Sequence, residues 1–153
     1  MNKVFFDLEW NTGFLDGNSF DEIIEIGAVK TDEEYRQIDG FRRLIRPVIY
    51  RKMNPYIQKI LAITMKDLQG EEPLAAVAKA FFDWCGDCDT LIAWSGNDFG
   101  VLEKNLAHIG MKIPEQLGRY DVQMAYAYRT ENSIRNYALK TAVEAMELPE
   151  PEG

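Results

Sequence analysis

The segment Val4-Phe5-Phe6-Asp7-Leu8-Glu9-Trp10-Asn11 sets two carboxylates, two residues apart, inside a run that otherwise reads as a buried β-strand. Side chains i and i+2 of a strand leave by the same face, so Asp7 and Glu9 would project side by side from one edge of a sheet. Two close carboxylates repel, and burying even one unpaired is costly. A divalent cation relieves both problems, because hard ions such as Mg²⁺ and Mn²⁺ prefer oxygen and are held by a few carboxylates plus substrate phosphates. The alternative at this point is an edge strand with two solvated acids; against it stands the poor strand propensity of an Asp placed directly after Val-Phe-Phe.

A chain of 153 residues with 46% apolar content has enough material for one proper core, so residues 1–153 are expected to form a single domain. No stretch approaches the roughly 18 apolar residues of a membrane span. With acids as early as Asp7 and Glu9, the N-terminus shows no signal-peptide pattern, and the expected location is cytoplasmic, with no membrane partner. The formal charge of −8 argues against a broad electrostatic grip on nucleic acid, although acids gathered around metal ions count as negative while acting as a cation site once loaded. Arg36, Arg42, Arg43, Arg46, Arg51 and Lys52 make the middle of the chain locally basic and read as a solvated surface.

The order of elements follows from periodicity. Residues 3–8, 22–30 and 35–46 read as strands, and the connection 11–21, with Gly13, Gly17 and two Asn, as a hairpin-type loop. Asn54-Pro55 marks cap and first residue of a helix to about Ala62, Thr64 caps a short turn ending at Gly70, and Pro73 opens a longer helix. Residues 89–95 read as a short buried strand and 98–110 as a helix stopped by Gly110. After Pro114, the segment Tyr120-Asp121-Val122 leads into helix to Arg129, and Ser133 caps a last helix with Leu139, Ala142, Val143 and Met146 inward. Three early strands followed by alternating helix and strand indicate an α/β domain with a mixed sheet, three antiparallel N-terminal strands plus parallel ones, flanked by helices.

Cys85 and Cys88 form a Cys-x-x-Cys pair, but a redox pair needs its first thiol at a helix N-terminus. Leu74, Val77, Ala78, Phe81, Phe82 and Cys85 keep helical spacing, which puts this pair at a C-terminal end. One such pair is also too few for a structural zinc site, so a buried Cys85 and a loop Cys88 are expected.

A third acid sits where the first pair would need it. Ala93-Trp94-Ser95-Gly96-Asn97-Asp98 runs from a strand end through a small-residue turn to a helix start, the place where functional groups gather in α/β sheets. Asp is equally at home there as an N-cap, and the local pattern leaves both readings open.

Together Asp7, Glu9 and Asp98 resemble the first two motifs of the DEDD superfamily of 3′-to-5′ exonucleases, whose domain has the ribonuclease-H-like fold. Phe6-Asp7-Leu8-Glu9 looks like the family's Asp-x-Glu strand and the run 21–29 like its second strand. Trp94-Ser95-Gly96-Asn97-Asp98-Phe99 occupies the place of its second acidic motif, and Leu61-Ala62-Ile63-Thr64 that of its Leu-Thr-Gly-Ile segment. The resemblance spans nearly the whole chain. One departure is plain: members carry a last motif, His-x4-Asp or Tyr-x3-Asp, on a further helix, and this chain ends at Pro149-Glu150-Pro151-Glu152-Gly153 where that motif should begin. The sequence therefore looks like a C-terminally truncated form, its activity impaired. His108, the sole histidine, matches no family position.

The resemblance implies two-metal phosphodiester hydrolysis with Mg²⁺ or Mn²⁺, the ions roughly 3.5 to 4 Å apart. Asp7 would bridge both ions, Glu9 would ligate the nucleophile-side ion, and Asp98 would hold the other. Trp10 and Asn11 fall where relatives hold the terminal nucleotide, so they are the expected substrate contacts, Trp10 by stacking a base or alternatively by core packing. The implied partner is the 3′ end of single-stranded RNA or DNA. Asp121 reads as a turn or cap residue that lies near the site at most. Two other readings stand beside the nuclease: a non-catalytic nucleic-acid-binding or regulatory module on the same fold, and a metal-independent interaction domain with an acidic surface.

Overall fold

The computed structural model describes residues 1–94 and 96–123. Strand β1 (Lys3–Leu15) turns directly into β2 (Asn18–Thr31), with Leu15 paired to Asn18. Asp16 and Gly17 alone make the connection, at φ of 52° and 81°. Two positive φ values define the hairpin turn whose twist matches that of the flanking strands, and Asp-Gly is among its preferred sequences. The loop expected over 11–21 is therefore strand on both sides of a two-residue turn. Strand β3 (Gln37–Leu44), shorter than the expected 35–46, pairs antiparallel with β2.

Asn54 caps α1 (Pro55–Leu61), its side chain accepting from the N–H groups of Tyr56 and Ile57, and Ala62 at φ 55° ends it. Thr64 and Asp67 close a reciprocal capping box on the short α2 (Met65–Leu68). Helix α3 (Leu74–Cys85) follows Pro73 and stops at Gly86. Strand β4 (Thr90–Ala93) lies parallel to β1, and α4 (Gly96–His108) follows it. Strand β5 (Gly118–Asp121), absent from the sequence-based expectation, lies parallel to β4. The sheet order is β3-β2-β1-β4-β5, a mixed sheet of the expected kind. The expected helices through Arg129 and from Ser133 onward, and the C-terminal segment 149–153, lie outside the described residues.

Alternation along β1 divides the sheet's two faces. Val4, Phe6 and Leu8 are buried against α3 and α4, with Phe6 meeting Phe99 edge-on at 5.2 Å between ring centres. Phe41 of β3 packs on Phe81 of α3 at 5.4 Å. Phe5, Asp7 and Glu9 leave by the opposite face. A smaller cluster of Ile24, Met53 and Leu68 anchors α1 and α2. Cys85 and Cys88 are both buried and unbridged, and burial pushes the Cys85 thiol up to about 12, the reverse of what an attacking thiol requires. None of the described helices is long and apolar enough to cross a membrane.

Candidate active site

Asp7 lies opposite Gly27 of β2, and Glu9 opposite Glu25. Immediately after Glu9 the register slips, so that Trp10 faces Ile23 and Ile24 has no partner in β1. Such a β-bulge bends the strand and re-aims the side chains on either side. The extra residue lies in β2, between the pairing partners of Glu9 and Trp10.

Asp98 reaches the same end of the sheet by another route. Because β4 runs parallel to β1 and pairs with it from Lys3 to Phe5, its C-terminal end comes beside the stretch of β1 just before Asp7, and α4 starts two residues beyond the last described residue of that connection, Trp94. Asp98 sits in the first turn of α4, as its third residue, not at the N-cap position where a capping aspartate belongs. It is only 8% exposed. Asp121 ends β5 opposite Ala93 and completes the group, a residue that the sequence left as a turn or cap. The missed signal was β5 itself: Gly-Arg-Tyr-Asp carries no apolar alternation, yet an acid at the end of a parallel strand comes near enough to Asp98 to repel it.

The electrostatics tie these acids into one site. Desolvation, followed by repulsion from Asp7, Glu9 and Asp121, holds the Asp98 carboxyl up to about 7. Desolvation raises Asp7 too, partly offset by the Leu8 N–H, with Glu25 adding repulsion. Glu9 is raised by desolvation and by Asp7 and Glu25. No basic side chain figures among the causes acting on the three, and Asp98 accepts no hydrogen bond from the described residues. Arg42, on the same face, is engaged with Glu25. A cavity of about 540 Å³ opens beside Asp7 and Asp98, walled by Phe5, Ile92, Ala93 and Trp94.

This donor set suits a hard divalent cation: oxygen ligands, excess negative charge and a buried carboxyl whose charged form is disfavoured by its acidic neighbours. As placed, no three acidic, His or Cys side chains among the described residues converge on a single point. The acids share one charge environment, in which each disfavours the ionised form of its neighbours.

The expected substrate contacts separate. Trp10 is half-buried and packs on the edge of the main core. Asn11 is 1% exposed and spends its amide on backbone, donating to the Lys52 carbonyl at 3.1 Å and accepting from the Asn54 N–H at 2.8 Å. Its side chain does not reach the carboxylates' pocket. His108 stands at the far end of α4, against Phe20. The six basic residues from Arg36 to Lys52 are exposed, as a solvated surface would be.

A family model described as Exonuclease matches residues 4–151. A DNA polymerase III PolC-type from Clostridium perfringens (strain 13 / Type A) is 34% identical over 112 residues, 72% of this chain but 7% of that protein, so the chain spans a small part of this relative. The nuclease domain of 3′hExo, a DEDDh family member bound to rAMP, superposes with a TM-score of 0.78 at 15% identity, covering 99% of this chain and 82% of that one. E. coli exonuclease I in complex with a 5cy-dA13 oligonucleotide superposes at 0.70 with 17% identity, covering 96% and 36%. These superpositions establish the ribonuclease-H-like fold, a mixed sheet flanked by helices. With the family model running along nearly all of the sequence and the acids of its Asp-x-Glu strand at one end of that sheet, the chain belongs to the exonuclease family.

Proposed function

We propose that residues 1–153 act as one metal-dependent 3′-to-5′ exonuclease domain that hydrolyses phosphodiester bonds at the ends of single-stranded RNA or DNA. The observation that carries this reading is Asp98: a carboxyl nine-tenths buried, raised by desolvation and by Asp7, Glu9 and Asp121, with no basic side chain among the causes acting on it. A structural acid in that position would have acquired a cation or a set of N–H donors. This one has kept a place that a bound cation would complete.

Asp7, Glu9 and Asp98 would hold the metal, Mg²⁺ or Mn²⁺ in two positions. When bound, such ions lower the pKa of water and neutralise charge on the phosphate oxygens. The chain's own residues supply the rest. Asp7 and Glu9, held by the β1–β2 ladder, approach the scissile phosphate from the sheet, while Asp98 approaches from the start of α4. The apolar wall of Phe5, Ile92 and Trp94 lowers the local polarity around Asp7 and Asp98 and strengthens their fields. Trp10, next to Glu9 in β1 and only partly buried, would offer its ring to a terminal base. Asn11 acts at one remove, by holding the segment that starts α1.

Degradation of 5′-labelled single strands, RNA and DNA in parallel with Mn²⁺ or Mg²⁺, tests the proposal. A ladder that shortens from the 3′ end and vanishes in Asp7→Ala supports it. Binding without degradation by either form favours the non-catalytic module.

A further inference from the structure

We infer that Asn105 is a positioning residue for the carboxylate site, clamping α4 to the bulge in β2 and so setting Asp98 against Asp7 and Glu9. The inference rests on the reading of these acids as a cation site.

Asn105 lies seven residues after Asp98 in α4, two turns along the same face, a rise of roughly 10 Å. It is 3% exposed, and its amide is fully used. The Oδ1 atom accepts from the Ile23 N–H at 3.1 Å, and Nδ2 donates to the Asp21 carbonyl at 2.7 Å and to the Val101 carbonyl at 2.8 Å. Two of these three bonds leave the helix for β2. They land on the short stretch immediately before Ile24, the residue left unpaired where the register slips after Glu9.

A bulge withdraws backbone groups from the ladder, and buried backbone groups must be satisfied elsewhere. Beside this bulge, and beyond the point where β3 stops pairing with β2, Asn105 takes up the Ile23 N–H and the Asp21 carbonyl from the helix that carries Asp98. The clamp thus joins the two features that define the site: the irregularity that follows Asp7 and Glu9, and the helix that delivers the third acid.

Apolar packing alone would not do this. Leu102 and Leu106, both fully buried, hold α4 against the sheet, but such contacts are non-directional and leave rotation and sliding of the helix weakly specified. Hydrogen bonds to fixed backbone groups specify both. Leu106 keeps the helix on the sheet; Asn105 decides where along it the helix stops.

The test compares Mn²⁺ affinity, read from the free-ion electron paramagnetic resonance signal, with thermal stability for wild type, Asn105→Leu, Asn105→Ser and Leu106→Val. Folded Asn105 variants are expected to bind Mn²⁺ at least fivefold more weakly. Leu106→Val, which loosens the packing of α4 without touching the clamp, is expected to melt earlier at wild-type affinity. Should Asn105→Leu fail to fold, Asn105→Ser and Asn105→Gln decide by the same comparison. Wild-type affinity in the folded Asn105 variants, or an equal loss in Leu106→Val, overturns the inference alone. A wild-type chain that takes up no Mn²⁺ overturns the cation-site reading and the inference with it.

Discussion

Asn11 and Glu22 stand opposite one another across β1 and β2, and both hold the same stretch of backbone. The Glu22 carboxylate accepts from three consecutive N–H groups, those of Val48, Ile49 and Tyr50, at 2.9, 2.8 and 3.0 Å. Asn11 takes the next part of the segment through Lys52 and Asn54. Asn54 in turn caps α1. A line of polar contacts therefore runs from the stretch of β1 just after Glu9 to the start of α1, and it explains why two polar side chains there are buried.

Removing the Glu22 carboxylate strands three N–H groups, each of which costs about 1–3 kcal/mol when buried without a partner, less whatever water can recover. Glu22→Ala is expected to lower unfolding stability by roughly 2–4 kcal/mol in urea titration and to speed amide exchange at residues 48–50. A loss below about 1 kcal/mol would show that the segment is held by other means.

Asp98 makes stability depend on pH. Its carboxyl is raised from an ordinary 3.8 to about 7, so between those values the metal-free folded chain binds more protons than the unfolded one. Stability must then fall as pH rises from about 4 towards 7 and level off above, since the slope follows the difference in bound protons. Asp98→Asn, which carries no charge, is expected to flatten that slope and to stabilise the metal-free protein at pH 8 by roughly 2–4 kcal/mol. Equal slopes for variant and wild type in chemical denaturation from pH 4 to 8 would contradict the assignment.

The two thiols give a prediction of the opposite kind. Burial raises both Cys85 and Cys88, leaving little thiolate at neutral pH. Neither should react with a disulfide reagent within minutes in the native protein, and both should react once guanidinium unfolds it. Rapid modification of one native thiol at pH 7 would reopen the redox reading that the helix position excludes.

Much of this architecture was legible in the residues. The Asp7/Glu9 pair could be placed on one strand face because strand period is two, and Asn54-Pro55, Thr64 and Pro73 marked helix starts through capping chemistry that does not depend on tertiary context. What escaped depended on pairing partners. The strands continue to Leu15 and from Asn18 because each pairs with the other down to the two-residue turn, and Asp16-Gly17 was a readable turn signal hidden among other turn-forming residues. β5 is a strand by virtue of β4 beside it, not of its own composition. Asn11 reads as a substrate contact by its place in the motif; its bonds to the Lys52 and Asn54 backbone join segments some forty residues apart, and neither they nor the bulge at Ile24 has a local signal.

The central claim is that Asp7, Glu9 and Asp98 form a cation site, and thermal melting with and without Mn²⁺ tests it most directly. An ion that binds only the folded state at a hundred times its Kd adds about 2.7 kcal/mol. For a chain of this size that raises Tm by roughly 5–10 °C. Wild type is expected to show that rise and Asp7→Asn, folded by circular dichroism, less than about a fifth of it. An equal rise in both proteins, or none in wild type, would contradict the account.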